Sequence, residues 1–294
     1  EGRRTDERQL MTTIHRGRVF HIADAPVLAD VVDHLVYHLD GALVVSDDGI
    51  ISWCGAWADL PPEFANDPVD DHSGCFLLPG FVDTHMHFPQ VNCGDSYGGG
   101  QLLEWLTNCI FPSEARFADP EFARGAAREW CDRMITAGTT TGLIFGSQFP
   151  VAQDLLFQTA RDRGLRIIAG RTIMTVGPDA AAPLLTSEAD AIELTRQEIE
   201  KWHPLDASVR ERALQQVAIV PRFSLSVTPE TLGALGVNAV LELAPGGVLT
   251  GLAKRSLKGV ELLAIKSPDD LDAARDLVAR HSATPATSPE ETTA

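Results

Sequence analysis

The sequence lacks any run of the roughly 20 consecutive apolar residues that a membrane-crossing helix needs. Its first residues, Glu1-Gly-Arg-Arg-Thr-Asp-Glu-Arg8, also lack the apolar centre of a secretory signal, which makes a cytoplasmic location the expectation. Cysteine is sparse: Cys54, Cys75, Cys93, Cys109 and Cys131 are scattered without a Cys-x-x-Cys pair. That argues against a zinc ribbon or a redox dithiol and leaves reduced thiols of an intracellular protein. Positive charge is short as well, with 24 Lys and Arg against 41 Asp and Glu and a formal net charge of −17. Phosphate recognition needs clustered cations, so neither nucleic acid nor an anionic membrane is expected as a partner.

What is present suits a packed globular protein, since 44% of the 294 residues are hydrophobic. Residues 1–10 precede Met11 and are read as an upstream segment outside the fold. Residues 11–78 are β-rich: Arg16–Ile22, Gly41–Val45 and Gly49–Trp53 are strand-length apolar runs separated by Asp-Gly and Pro-Pro, and a small β-sandwich is expected. After Gln90 helix and strand alternate. Leu102–Ile110, Pro120–Ala137, Val151–Arg163 and Ser187–Trp202 read as helices. Phe81–His87, Thr139–Phe145, Leu165–Met174 and Val217–Ser226 read as strands. This is the rhythm of a (β/α) barrel of the TIM type, with about half of a full complement of strands.

The stretch Pro79-Gly-Phe-Val-Asp-Thr-His-Met-His-Phe-Pro-Gln90 carries the chemistry. Val82 to His87 reads as a short buried strand behind a Pro-Gly turn, and side chains two apart on a strand share a face, so His85 and His87 point together. Two adjacent imidazoles make half of a metal site, because a catalytic zinc ion takes three or more protein ligands and keeps an open position for water. His15, His21, His34, His38 and His72 lie ahead of this strand and read as surface or turn residues. His203, before Pro204, reads as a solvated helix end, and His281 falls in a polar stretch.

Pro79–Gln90 resembles the first barrel strand of the amidohydrolase superfamily, and His87-Phe-Pro-Gln90 is similar to the guanine deaminases within it. Leu102-Leu-Glu-Trp-Leu106, Phe111-Pro112, Ala115-Arg-Phe117, Pro221-Arg-Phe-Ser-Leu-Ser226 and Glu230-Thr-Leu232 extend the resemblance, which covers about residues 12–236. It implies hydrolysis of guanine to xanthine and ammonia, with zinc lowering the pKa of the attacking water. It also implies that His85 and His87 are zinc ligands, and that His87, Gln90, Arg222 and Phe223 line the purine. Gln90 would bond the purine's polar edge, with Arg222 and Phe223 clamping the base. The family's remaining ligands and its Glu proton shuttle have no counterpart after Gln90. The other kind of zinc deaminase, with His-x-Glu and Pro-Cys-x-x-Cys, does not fit the cysteine spacing.

From about residue 237 to 280 the wording changes. Leu241-Glu-Leu-Ala-Pro-Gly-Gly-Val-Leu-Thr-Gly-Leu-Ala-Lys-Arg255 and Lys266-Ser-Pro-Asp-Asp-Leu271 resemble the carboxyl end of malonyl-CoA:acyl-carrier-protein transacylases. Locally, Val240–Leu243 reads as a strand and Val248–Leu257 as a helix. The expected organisation is thus an upstream segment (1–10), a β-rich subdomain (11–78), the N-terminal half of a barrel (79–236), a short α/β segment (237–280) and a disordered Ser, Thr and Pro-rich tail (281–294). Three functions remain open: an incomplete guanine deaminase-like zinc hydrolase, a non-catalytic or chimeric protein, and, remotely, a transacylase. Two unpaired edges of a half-barrel would also favour a homo-oligomer.

Overall fold

The computed structural model describes residues 11–24, 28–93, 100–204, 206–210, 212–223, 226–243 and 247–282. The expectations for residues 1–10 and 283–294 lie outside the described residues. The chain divides into two units, Glu1–Gly80 and Phe81–Ala294.

In the first unit, β1 (Thr12–Ile22), β2 (Leu35–Ser46), β3 (Ile51–Ala56) and β4 (Val69–Leu77) form one sheet in the order β3-β2-β1-β4. β2 pairs antiparallel with both β1 and β3, whereas β4 lies parallel to β1. The β2–β3 hairpin turns at Asp47-Asp48-Gly49, where Gly49 takes a φ of 80°, a left-handed conformation that favours glycine. Ile14, Ala42 and Val44 are buried against Trp53, Trp57, Leu60 and Phe64. The expected sandwich is corrected in this respect: the described residues of the unit form a single mixed sheet. Alternating apolar runs identify strands but do not reveal whether a second sheet covers the other face. His15 and His21 lie in β1, His38 in β2 and His72 in β4, so these four are strand rather than turn residues.

The second unit begins with β5 (Phe81–His87), followed by a helical stretch made of α1 (Leu102–Trp105), a π-turn over Leu106–Ile110 and α2 (Phe111–Ala115). Pro112 has no N–H to bond one turn back, and the ladder widens just ahead of it. There follow α3 (Pro120–Thr136), β6 (Thr139–Phe145), α4 (Pro150–Asp162), β7 (Arg166–Gly170), β8 (Thr172–Ile173), α5 (Glu188–Trp202), α6 (Ala207–Arg210), β9 (Gln215–Val217), β10 (Val220–Pro221) and α7 (Pro229–Ala234). β5, β6, β7 and β9 form a parallel sheet in sequence order, and β8 pairs with β10 beyond it. The β-α-β rhythm expected of a barrel is present, and β5 and β6 have the expected bounds.

The fourth strand differs from expectation. In place of Val217–Ser226 there are two short strands in different sheets, β9 (Gln215–Val217) and β10 (Val220–Pro221), and the Phe223 N–H donates to Ser226 Oγ at 3.0 Å. β5 is not buried either, since Val82 is 64% exposed. It pairs only with β6 among the described residues, so its other edge is uncovered.

One face of the sheet carries the core. Ile144, Ile167 and Ala169 pack with Trp130, Met134, Leu156 and Phe157 from α3 and α4. Asp119 caps α3 by accepting the Glu121 N–H at 2.9 Å, and Pro120 occupies the first turn where no N–H is needed. α5 is held to α4 by Trp202, whose Nε1 donates to Asp154 at 2.7 Å while its ring stacks on Phe157.

The final segment of the second unit carries a separate two-stranded sheet. β11 (Ala239–Glu242) and β12 (Glu261–Ala264) pair in parallel, apart from the four-stranded sheet, and α8 (Val248–Ser256) lies between them in sequence. The strand and helix expected here are both found. α9 (Leu271–Ser282) runs through His281, whose Nε2 lies 2.8 Å from Glu261 Oε2. Residues 281 and 282 therefore finish a helix instead of opening a tail. Among the described residues no helix is long and apolar enough to cross a membrane.

Candidate functional site

The carboxyl end of β5 delivers two imidazoles to one place. His85 Nε2 and His87 Nε2 are 3.3 Å apart, and Asp83 steadies the strand by accepting the His85 N–H at 3.0 Å. Phe145 is the register partner of His87 on β6 and stacks on its ring with centroids 4.6 Å apart. Burial, together with the neighbouring His85 and Arg222, pushes the His87 pKa down from 6.5 to about 4, with Glu114 opposing. His87 is thereby neutral at pH 7, the form in which a histidine ligates metal. Between β5 and α3, Asp83, His85, His87, Trp130 and Arg133 line an open cleft of about 450 Å³.

These two nitrogens suit a zinc ion, because neighbouring ligands on tetrahedral bonds of about 2.0–2.1 Å lie about 3.3–3.4 Å apart. The described residues do not complete the set. Their one group of three or more ligand atoms close enough to share an ion is His15, Asp70 and His72, which does not include this pair.

Beside the histidines sits a buried carboxylate that the sequence reading did not single out. Glu114 on α2 is 1% exposed. Gln90 Nε2 donates to its Oε1 at 3.1 Å and lies 3.4 Å from His87 Nδ1. Gln148, just past β6, donates to the other carboxylate oxygen at 3.4 Å. Arg222 grips both oxygens, with one bond of 3.0 Å, and its guanidinium lies over the Phe111 ring at 5.4 Å. The Arg222 backbone N–H in turn donates to Ile173 O at 3.1 Å, which fixes the residue at the end of β8. Phe223 follows and is 41% exposed.

His85, His87, Gln90 and Arg222 are thus gathered around the carboxyl ends of the sheet, where (β/α) barrels place their chemistry. The spacing held a signal for Glu114. Ile110, Phe111, Glu114 and Phe117 recur at helical intervals and are all buried, so Glu114 is a charge set into an apolar face. His203 is half-buried at the end of α5. Its Nδ1 accepts the Val217 N–H at 3.2 Å and ties the end of α5 to β9.

The described structure thus joins a parallel sheet with helices between its strands to a pair of histidines at the end of one strand. Residues 76–244 match the amidohydrolase family, and the chain belongs to that family. Over 227 residues it is 37% identical to a probable guanine deaminase of Deinococcus radiodurans, a match that covers 75% of this chain and 48% of the relative. The solved structure of E. coli guanine deaminase is similar with a TM-score of 0.65 at 26% identity, covering 92% of this chain and 57% of that one. A guanine deaminase of C. acetobutylicum, solved with bound guanine in its active site, shares the fold with a TM-score of 0.70 at 22% identity, covering 92% and 65%. The chain spans about half the length of the curated relatives it matches.

Proposed function

We propose that this chain carries the two-histidine edge and the purine-recognition residues of a guanine deaminase-type zinc hydrolase. The observation that carries the reading is the convergence of Gln90 and Arg222 on Glu114 beside His87. Similarity to the Deinococcus and E. coli proteins supports the same substrate class. His85 and His87 would hold the zinc ion, which when bound supplies activation of water at neutral pH. Gln90 and Arg222 offer N–H donors to a base rich in acceptors, and Arg222 is held in plane by its two-point grip on Glu114. Phe223 offers an apolar face, and His87 doubles as a wall of the purine pocket. No residue of this chain is assigned the proton shuttle.

The β5-β6-β7-β9 sheet would be the N-terminal half of the family's barrel, in a cytoplasmic enzyme, with residues 237–280 a transacylase-like addition. One observation favours a second reading, a chimeric chain without catalysis of its own: β11 pairs with β12 instead of extending the sheet beyond β9. Transacylase activity is the remote third reading, since the resemblance to that family covers only about residues 237–280.

Calorimetric titration with guanine and adenine, run beside an absorbance assay for xanthine with and without zinc, tests the proposal. Preferential guanine binding that Arg222→Gln weakens about tenfold or more supports it, and zinc-dependent xanthine formation lost in His85→Ala would establish the full activity. A folded, zinc-supplied chain that neither binds guanine nor makes xanthine would leave the chimeric reading.

A further inference from the structure

The first unit brings three other ligand groups together. β1 and β4 lie parallel with His15 directly opposite Asp70, and His72 follows Asp70 by two positions, so all three side chains share one face. His15 Nδ1 lies 3.4 Å from Asp70 Oδ2, His72 Nε2 lies 3.1 Å from the same oxygen, and the two nitrogens are 3.4 Å apart. The rings stack with centroids 5.6 Å apart.

Hydrogen bonding does not account for this triangle. With Asp70 ionised, protons on both facing nitrogens satisfy the carboxylate but set donor against donor between the rings. A proton on one nitrogen only leaves the other's lone pair against the carboxylate oxygen. Every assignment of the ring protons leaves one edge of the triangle repulsive. A cation at its centre turns all three contacts favourable; two edges, at 3.4 Å, match the spacing of about 3.3–3.4 Å that tetrahedral bonds of about 2.0–2.1 Å impose, and the third, at 3.1 Å, is slightly shorter.

We infer that His15, Asp70 and His72 form a divalent-metal site of the zinc type, separate from His85 and His87, with water in the fourth position. Two imidazoles and a carboxylate are a donor set that zinc accepts readily. The side chains are 32%, 56% and 37% exposed, so an ion enters and leaves without unfolding the sheet. Its role is a cross-link. The ion joins residues 57 positions apart on the first and last strands of the unit and so closes the sheet's one parallel pairing.

The test uses the full chain with His85→Ala and His87→Ala, which removes the other pair of histidines whatever its function. Zinc is titrated against a chromophoric chelator, and cobalt is added separately to read the visible spectrum of a tetrahedral ion. About one equivalent should bind, with a thermal midpoint that rises on zinc addition and falls back with chelator. His15→Ala or His72→Ala should weaken binding at least tenfold. Asp70→Asn, which keeps the side chain's shape, should do the same while far-UV circular dichroism stays unchanged, and so serves if an alanine variant fails to fold. Absence of zinc binding, or binding equally tight in all three variants, would overturn the site.

Discussion

Arg222 and Glu114, 108 residues apart in the chain, meet as a two-point ion pair with side chains only 5% and 1% exposed. The pair joins the end of the fourth strand to the helix after β5, and with Gln90 and Gln148 on the same carboxylate it is the most heavily shared polar group of the site.

Removing one partner of such a pair is the costly change, because the other is left charged and buried. Glu114→Ala should lower unfolding stability by about 3–5 kcal/mol, whereas replacing both residues by apolar ones of similar volume should cost much less. Urea denaturation of the single and double variants measures the difference. Equal losses in both would refute the assignment of the cost to an uncompensated guanidinium.

Glu198 gives the protein a pH signature. It is buried, accepts the Arg171 N–H at 3.1 Å, and has its pKa raised by burial from 4.5 to about 7. The folded state therefore keeps the proton over a range in which the unfolded chain has lost it. The stabilisation is complete below about pH 4.5 and disappears as pH rises to about 7. Glu198→Gln, neutral throughout, should flatten stability between these limits, as thermal midpoints across that range will show. A slope identical to that of the parent would count against this residue.

The sheet tolerates no side chain where its strands converge. A Cβ on Gly170 would stand 1.8 Å from Ala218 O and 2.8 Å from Val220 Cγ2. Since the first obstacle is backbone, Gly170→Ala should cost at least about 1–3 kcal/mol and loosen the β7–β9 pairing. Chemical denaturation and amide exchange of Ala169 and Val217 test this. A variant as stable as the parent would mean the strands separate freely.

Self-association is expected at the uncovered edge of β5, where Val82 is largely exposed. Light scattering should show growth in mass with protein concentration, and Val82→Lys should suppress it. A parent that stays monomeric at high concentration would contradict the prediction.

Much of this architecture was legible from residue order. β5 and β6 have the expected bounds because each is a strand-length stretch set off by turn formers, Pro79-Gly80 before β5 and Gly138 before the β-branched run of β6. His85, His87, Gln90 and Arg222 are singled out by the motifs around them, and the fold brings His87 and Gln90 together and sets Gln90 and Arg222 on one carboxylate. Glu114 was overlooked although its spacing betrays it, because a charge on a helix is read as solvated unless its neighbours on the same face are counted. The exposure of β5 depends on which strand lies beside it, something local sequence does not record. The single sheet of the first unit and the triangle of His15, Asp70 and His72 share that cause: both follow from the parallel pairing of β1 with β4, strands separated by most of the unit.

His85 and His87 sit on β5, which among the described residues is paired on one side only, so metal binding there would be coupled to assembly. Any strand that pairs with the open side of β5 arrives next to both imidazoles. A ligand group on that strand would make pairing and metal binding thermodynamically reciprocal, each strengthening the other by the same factor. Metal concentration would then act on the association equilibrium, and protein concentration on the apparent affinity for metal, with no change in either contact surface.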